Sequence, residues 1–334
     1  MDRTPLVSVL IPTYNRAGRL PKAVESVVEQ NVPDLEIIIV DDGSTDGTGS
    51  VVEAMSRRGI NIQYIWNEKN RGAGYSRDRA FHIATGKYIA FIDSDDRWLP
   101  GKLGAQVDIL DRYSQIDFLF SDFINVDGRT GARANCFDLN REALAFLQTC
   151  ALEDGLWLVE DRMIPALLQK MFVQLGTVLL RRDVFETAGS FDESLRGPED
   201  FEFCLRAAVF GCRFAFTDIV TQERIKNADS VTASQASSWR STQEALRIFR
   251  KLCVQESRPD LLTAVDRSMR RANRNAILAF GRIGDRRMAS GIYYKARREG
   301  DTTIRTMAVW LLALAGEGTI LRVKSGLLAG GKNE

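Results

Sequence analysis

Short apolar runs and longer stretches with apolar residues three or four apart alternate along the first third of this chain. The short runs are rich in β-branched residues, which is typical of strands buried in a parallel sheet. They lie at residues 6–11, 35–40, 60–66, 88–92 and 116–120. The helical spacing between them predicts helices at residues 20–30, 46–55, 74–85 and 100–113. This order, with short loops, predicts a doubly wound, mostly parallel α/β sheet.

The alternation weakens after residue 122. Helical spacing then predicts helices at residues 140–151, 162–170 and 200–210, and apolar runs predict strands at residues 172–180 and 213–217. From residue 237 to about residue 315 the pattern indicates consecutive helices with Arg-rich faces. We therefore expect an α/β domain at residues 1–235 and a basic helical region at residues 236–334.

Positive and negative charges are distributed unevenly between these two regions. The 334 residues carry a net charge of only +1, which gives no global attraction to nucleic acid. From Trp239 onward, however, there are 19 Lys or Arg against 9 Asp or Glu, leaving 26 and 35 before it. The tail is thus about +10 and the front about −9, an asymmetry that indicates two functions or two partners.

Several features favour a cytoplasmic protein. The five cysteines are scattered without a Cys-x-x-Cys pair, which is typical of reduced thiols. The first residues lack the charged-then-apolar order of a secretory signal. The apolar run at residues 307–315 is about half of the roughly 20 residues that a membrane span needs. The single histidine, His82, excludes a His-rich zinc site and leaves acid–base chemistry to carboxylates.

Carboxylates cluster where two predicted strands end and where one predicted helix begins. Asp41 and Asp42 follow the second strand, residues 93–96 (Asp-Ser-Asp-Asp) follow the fourth, and Glu199 and Asp200 open a helix. Open α/β sheets bind ligands at the carboxyl ends of their strands. Clustered like charges are costly unless a cation or a substrate uses them. Acids in an Asp-x-Asp pattern suit Mg²⁺ or Mn²⁺, which can neutralise a phosphate-bearing substrate.

Six segments together carry a resemblance to a known family. The chain resembles glycosyltransferase family 2, the inverting, nucleotide-sugar-dependent transferases with the GT-A fold. The segments occur in the order typical of that family, and the resemblance does not extend to the helical tail. They are residues 7–16, 36–46, 70–72, 84–96, 189–193 and 198–200.

The resemblance implies a nucleotide site after the first two strands. Pro12, Tyr14 and Arg16, on the loop after the first strand, would embrace the base together with Asp42. An aromatic face can stack on a base, and a carboxylate can accept the uracil N3–H, which favours a UDP-sugar. Arg77 is placed like a family arginine near the nucleotide. An ordinary turn and a solvated helix charge are the alternative interpretations.

The resemblance also implies roles for the acids. Asp93-Ser94-Asp95 is similar to the family's DxD motif, in which Asp95 would hold Mn²⁺ or Mg²⁺ on the donor diphosphate. Asp93 would contact the ribose, or the metal through water. Asp200 stands at the position of the general base, which takes the proton of the acceptor hydroxyl, and Glu199 is a weaker candidate. A solvated acidic turn and a helix N-terminal carboxylate are the structural alternatives.

Residues 221–226 depart from the family pattern. Arg224 can still contact the diphosphate, but Lys226 stands where many members have a histidine. The Gln-x-x-Arg-Trp motif of processive synthases is absent from the sequence. With no predicted transmembrane helix either, we expect a non-processive enzyme.

The basic tail has two interpretations. It is either a solvated helix face or a peripheral contact with anionic lipid on the inner face of the cell membrane. In the second case Trp310, Leu311 and Leu312 would be a shallow apolar anchor. Nucleic acid is not an expected partner, because no aromatic and basic module accompanies the arginines.

The sequence therefore predicts a metal-dependent inverting glycosyltransferase that moves a sugar to a hydroxyl of a glycan or lipid-linked acceptor, in cell-envelope polysaccharide synthesis. A sugar-1-phosphate nucleotidylyltransferase is one alternative, but residues 12–15 replace its Gly-rich phosphate loop. A non-catalytic nucleotide-sugar-binding protein is the other. The presence of both metal acids and Asp200 argues against it.

Overall fold

The computed structural model describes residues 4–226 and 235–315. The chain divides into two compact units, Met1–Ala228 and Asp229–Glu334. The predicted domain boundary, between residues 235 and 236, stays a prediction. Among the described residues, no helix has both the length and the apolar character needed to cross a membrane.

The first unit is built from strands and helices that alternate along the chain. Its strands are β1 (Val7–Thr13), β2 (Leu35–Asp41), β3 (Ile62–Trp66), β4 (Tyr88–Phe91), β5 (Arg97–Trp98), β6 (Phe118–Asp127), β7 (Arg133–Asn135), β8 (Gln148–Glu153), β9 (Leu156–Asp161), β10 (Leu179–Arg181) and β11 (Phe214–Lys226). Its helices are α1 (Leu20–Val28), α2 (Thr48–Arg57), α3 (Ala73–Ile83), α4 (Lys102–Arg112), α5 (Cys136–Leu139), α6 (Arg141–Ala145), α7 (Met163–Gln169), α8 (Asp183–Ala188) and α9 (Glu199–Val209).

All the strands belong to one sheet. Its order is β3-β2-β1-β4-β10-β6-β11-β9-β8, with β5 on β11 and β7 on β6. The neighbours β3, β2, β1 and β4 are parallel, β10 runs antiparallel to β4 and β6, and β11 is parallel to β6. Six of the first seven strands in this order therefore share one direction. The predicted mostly parallel α/β sheet is confirmed.

The core explains why the apolar runs form strands. Every residue of β1 and β4 is buried, because helices cover the sheet on its faces. Helix α1 contributes Leu20, Ala23, Val24 and Val27, spaced three and four apart. In the parallel register Thr13 lies opposite Asp41, so the loops that follow β1 and β2 leave the sheet at the same edge.

Two predicted elements in the middle of the chain are wrong in part. The predicted helix at residues 140–151 stops as α6 at Ala145, and β8 follows at Gln148, paired antiparallel with β9. The predicted strand at residues 172–180 contains a 3₁₀ turn, Leu175–Thr177, before the short β10. In that turn the Gly176 carbonyl accepts the Trp98 Nε1–H at 2.7 Å. This carbonyl is therefore not available for a hydrogen bond with a neighbouring strand.

The described part of the second unit is helical, as predicted. It consists of α10 (Gln235–Gln255), α11 (Pro259–Arg282), α12 (Arg286–Arg298) and α13 (Ile304–Ala315). Its core includes Ala276, Phe280 and Tyr293. Trp310 stacks on Tyr293 with 4.3 Å between ring centroids and donates its Nε1–H to Ser290. The ring is therefore partly buried within the unit, and the role of Trp310 as a shallow membrane anchor stays a prediction.

All five cysteines are free, as expected, and three of them, Cys136, Cys204 and Cys253, are buried. His82 lies on α3 with most of its side chain exposed, and its Nδ1 is 2.9 Å from the Asp78 carbonyl oxygen. Its environment fits the predicted solvated helical histidine.

Candidate active site

Hydrogen bonds tie together the loops that follow β1 and β2. The Asn15 amide donates to Ser44 Oγ at 2.8 Å, and the Thr45 amide donates to Asn15 Oδ1 at the same distance. Asn15 has a φ of 51°, in the left-handed region that asparagine tolerates better than most residues. The two loops therefore form one surface at the carboxyl edge of the sheet.

Three predicted donor-binding residues occupy different surroundings on that surface. Pro12 lies inside β1, buried and paired with Val40, so its predicted position on a loop is wrong: the ladder with β2 continues to Thr13. Tyr14 follows the strand and is 44% exposed, which leaves its ring accessible. Arg16 places Nε 3.5 Å from Asp95 Oδ2. The donor-binding roles of these residues stay predictions.

Asp42 holds the start of helix α3. Its buried carboxylate accepts the Arg71 amide at 2.9 and 3.0 Å, the Gly72 amide at 2.7 Å and Asn67 Nδ2 at 2.8 Å. Gly72 has a φ of 95°, so the turn depends on glycine as well as on this carboxylate. The predicted contact of Asp42 with a uracil base stays a prediction beside this observed structural role.

Asp95 lies close to a like charge and to two cations. Burial raises the pKa of its carboxyl, and the charge of Asp93 raises it further, while Arg16 and Arg19 oppose the shift. Arg19 places a guanidinium nitrogen 3.8 Å from Asp95 Oδ2. Arg19 was not among the residues predicted for the site. Its spacing of three residues from Arg16, just before α1, was the available signal.

Asp96, the next residue after Asp95, is buried. It accepts hydrogen bonds from Gln222 Nε2 at 2.5 Å and from Gln174 Nε2 at 3.3 Å. Burial raises the pKa of its carboxyl well above the ordinary value, and Asp93 raises it further, against Arg224. Both glutamines were missed, although a polar residue within an apolar run, as at Gln174, indicates a buried hydrogen bond.

Arg77 joins the end of β4 to the start of α9. Its side chain is 6% exposed and donates to Asp93 Oδ1 at 2.6 Å and to Glu199 Oε1. Burial disfavours its charged form, yet Asp93, Glu199 and Asp200 together raise the pKa of the guanidinium. Arg77 is thus the cation between carboxylates of two separate elements.

Asp200 lies in the first turn of α9, and its Oδ1 accepts the Phe201 amide at 2.7 Å. Burial raises the pKa of its carboxyl, Arg77 and Arg224 lower it, and Asp93 raises it. A raised pKa suits a group that must take up a proton. Arg224 is the cation that lowers the pKa of both Asp200 and Asp96.

The fold therefore brings the predicted residues Asp93, Asp95, Asp200, Arg77 and Arg224 into one electrostatic group. No three His, Cys, Asp or Glu side chains among the described residues are arranged to hold a metal ion by themselves. The paired acids Asp93 and Asp95 offer hard oxygen ligands, and such a pair fits Mg²⁺ or Mn²⁺ when a phosphate supplies further oxygens.

Comparison with known proteins defines the class of this site. The model of the family described as glycosyl transferase family 2 matches residues 8–187, more than half of the chain. The chain belongs to this family, and its class is that of the glycosyltransferases. The match includes β1 to β4 and the Asp93-Ser94-Asp95 motif, and it ends before Asp200.

Three similar proteins illustrate the relationship. The Escherichia coli UDP-Glc:alpha-D-GlcNAc-diphosphoundecaprenol beta-1,3-glucosyltransferase WfgD is 34% identical over 119 residues, which cover 35% of this chain and 46% of that protein. S. aureus TarS in complex with UDP-GlcNAc has a TM-score of 0.60 at 19% identity, covering 92% of this chain and 90% of that one. The mannosyltransferase PcManGT from Pyrobaculum calidifontis, with GDP-Man and Mn²⁺, has a TM-score of 0.59 at 18% identity, covering 99% and 82%.

The three comparisons support different statements about this chain. The two structures share the fold with this chain. The chain spans less than half of the length of WfgD, so the donor, the acceptor and the reaction are proposed from the site itself.

Proposed function

We propose that this protein is a metal-dependent, inverting, non-processive glycosyltransferase. It moves a sugar from a UDP-sugar to a hydroxyl of a glycan or lipid-linked acceptor. The observation that carries the proposal is the common electrostatic group of Asp93, Asp95 and Asp200, with Arg77 and Arg224 as its cations. Acids that follow β4 and an acid on α9 can serve the two sides of the same reaction.

Asp200 is the proposed general base. Inversion at the sugar carbon requires a base on the face opposite the leaving diphosphate, to take the acceptor hydroxyl proton. The pKa of Asp200 is raised by burial and by Asp93, while the charges of Arg77 and Arg224 lower it and favour the ionised carboxylate. Glu199 is engaged by Arg77, which makes it the poorer base.

Asp95 and Asp93 are the proposed metal acids. A bound Mg²⁺ or Mn²⁺ would neutralise charge that develops on the departing diphosphate. Burial and Asp93 raise the pKa of Asp95 although Arg16 and Arg19 oppose the shift, so further positive charge from a metal ion would stabilise its ionised form. The Mn²⁺ of PcManGT, which shares the fold, agrees with this choice.

The donor is proposed to lie against the loops after β1 and β2. The exposed Tyr14 ring can stack on a base, and Arg16 and Arg224 can pair with phosphate oxygens. UDP is the proposed nucleotide, in agreement with the UDP-GlcNAc complex of TarS and the UDP-Glc in the name of WfgD. A diphosphate-linked lipid acceptor agrees with the same name.

The basic second unit is proposed to make a peripheral contact with the anionic inner face of the cell membrane. Its excess of Lys and Arg over Asp and Glu from Trp239 onward supports this contact. A lipid-linked acceptor would lie in the same surface, so the contact would bring enzyme and acceptor together. The enzyme would then act in the cytoplasm on cell-envelope glycans.

The test is calorimetric titration of the full chain with UDP, GDP, CMP and dTDP, with Mn²⁺ and with chelator. We expect metal-dependent binding of UDP and weak binding of the others. Transfer is then measured with UDP-sugars and acceptor glycans, and NMR of the product reports whether the anomeric configuration inverts. Binding of no nucleotide by the folded protein with Mn²⁺ present would reject the proposal.

The metal acids are tested with Asp95→Asn. We expect this variant to lose the Mn²⁺-dependent part of UDP affinity. Asp111→Asn is the matched control, because Asp111, on α4, pairs with the exposed Lys87. Undiminished Mn²⁺-dependent binding by Asp95→Asn would remove Asp95 from the metal site while leaving the fold and the family unaffected.

A further inference from the structure

The second unit contains an open cleft of about 650 Å³ between α11 and the start of α13. Three arginines of α11, Arg267, Arg270 and Arg274, line one side of it, and residues 302–305 line the other. The three positions are spaced three and four residues apart, so they share one face of the helix. With Arg305, four guanidinium groups line this arginine cleft.

The described residues provide no ion-pair partner for the arginines of the cleft. Across residues 4–226 and 235–315, none of its four arginines forms an ion pair with a carboxylate. The neighbouring acids are engaged elsewhere: Asp266 pairs with Arg250 at 2.8 Å, and the buried Asp301 accepts the Thr306 hydroxyl at 2.9 Å. Clustered like charges without a counter-charge destabilise the fold, which favours a bound anion.

The adjacent Arg271 lies in the same positively charged surroundings. Burial lowers the pKa of its guanidinium, and the charge of Arg274 lowers it further. The start of α13 adds a second attraction for an anion. Among the described residues, the backbone amides of Ile304 and Arg305 donate to no backbone carbonyl outside the helix, as expected in the first turn of a helix.

An exposed apolar stripe begins beside the cleft. Ile304, Met307 and Leu311 are 78%, 41% and 52% exposed, and their spacing of three and four places them on one face of α13. The opposite face of the helix holds the buried Thr306 and Ala313. A basic cleft next to an exposed apolar stripe is the arrangement of a helix that lies in a membrane interface.

We infer that the arginine cleft binds the phosphate group of an anionic phospholipid, while the apolar stripe of α13 enters the lipid interface. Guanidinium groups match phosphate oxygens in charge and in two-pronged geometry. The apolar stripe distinguishes a lipid from a free phosphate, which would gain nothing from it. This occupant rests on the proposed membrane contact, whereas the cleft itself does not depend on the transfer reaction.

The test measures sedimentation of the full chain with vesicles. One set is phosphatidylcholine alone, and the other is phosphatidylcholine mixed with phosphatidylglycerol. Arg270→Gln combined with Arg274→Gln removes two charges from the cleft. The matched control, Arg286→Gln with Arg287→Gln, removes two exposed charges from the start of α12. We expect affinity for phosphatidylglycerol vesicles to fall about tenfold or more in the cleft variant and to stay close to wild type in the control.

Two results would overturn the inference. Equal losses in both variants would mean that general charge, and not the cleft, holds the vesicles. Binding of inorganic phosphate in the cleft without vesicle binding would mean that the ligand is a free phosphate. Arg270→Lys with Arg274→Lys keeps the charge and covers the case in which the glutamine variant does not fold. We expect it to retain vesicle binding only in part, because lysine lacks the two-pronged geometry.

The stripe gives an independent measurement. Ile304→Ser with Leu311→Ser changes two exposed side chains and leaves all four arginines in place. We expect weaker vesicle binding with unchanged binding of inorganic phosphate. Transfer to a soluble acceptor is measured on the same variants, so that loss of lipid binding and failure of the proposed transfer reaction are distinguished.

Discussion

Arg77 and Glu199 lie 122 positions apart in the sequence and form a buried ion pair at the candidate active site. The other side of the Arg77 guanidinium holds Asp93 at 2.6 Å. Arg77 therefore connects the start of α9, which carries Asp200, to the segment after β4, which carries the proposed metal acids. A single guanidinium sets the relative position of the two halves of the site.

Replacing Arg77 by methionine tests this arrangement. The change keeps much of the side-chain volume but leaves Glu199 buried without its cation. We expect the free energy of unfolding to fall by about 3–5 kcal/mol, the usual result of removing one partner from a buried pair. Urea denaturation followed by circular dichroism measures it.

The matched control for that prediction is Arg57→Met. Arg57 pairs with Glu53 on the surface of α2, where both side chains are mostly exposed. We expect the free energy of unfolding to change by less than ~1 kcal/mol. Similar losses in the two variants would mean that burial of the Arg77 pair does not stabilise the site.

Asp200→Asn should separate catalysis from donor binding. The amide cannot take up the acceptor proton, so we expect the transfer rate to fall by a factor of about 10² to 10⁴. The affinity for the UDP-sugar should remain, because the donor residues are untouched. Asp183→Asn is the control, since Asp183 is also in the first turn of a helix, α8, but is exposed. Near wild-type turnover by Asp200→Asn would exclude it as the base.

The pH dependence of transfer follows from the environment of Asp200. Burial raises its pKa above the ordinary 3.8, Arg77 and Arg224 oppose this, and Asp93 adds to it. As the pH falls through the raised pKa, the base becomes protonated and the rate falls. The acid limb of the kcat/KM profile should therefore lie above pH 3.8.

The Arg224→Gln variant tests the direction in which a neighbouring cation shifts the acid limb of the kcat/KM profile. The variant removes a cation that lowers the Asp200 pKa, so the acid limb should move to higher pH. Loss of a phosphate contact alone would lower kcat/KM without moving the limb. A limb that stays in place or moves to lower pH would contradict the electrostatic coupling between Arg224 and Asp200.

Gly86→Ala should destabilise the first unit. A Cβ at Gly86 would lie 2.6 Å from both the backbone nitrogen and Oγ of Ser8. The Gly86 amide also donates to Ser8 Oγ at 2.8 Å and to Glu36 at 3.0 Å. We expect the free energy of unfolding to fall by about 1–3 kcal/mol, the usual effect of overpacking.

Gly104→Ala is the counterpart on helix α4. A Cβ at Gly104 would have no atom within 4 Å apart from its chain neighbours and the backbone of its own helix, and alanine favours a helix over glycine. We expect the free energy of unfolding to rise by about 0.5–1 kcal/mol. Thermal denaturation of both variants checks the two signs, and a destabilised Gly104→Ala would contradict the open surroundings of this position.

The sequence was sufficient to predict strands β1, β2 and β4. Each of these strands is an apolar run between turn residues, and burial on both faces of a parallel sheet requires that pattern. It was not sufficient for residues 148–151, where apolar and Ala-rich spacing predicted a helix. There β8 forms because it pairs with β9, and strand preference depends strongly on such partners.

By itself, the sequence determined which residues reach the carboxyl edge of the sheet. Asp42, Asp93 and Asp95 follow strands, and the direction of a parallel strand decides where its last residues lie. Only the tertiary structure decided what those residues meet there: Arg77 between Asp93 and Glu199, and Arg224 near Asp200. The pKa of an acid and the partner of an ion pair depend on burial and on charges from residues distant in the chain. A local sequence pattern contains information on neither burial nor these distant charges.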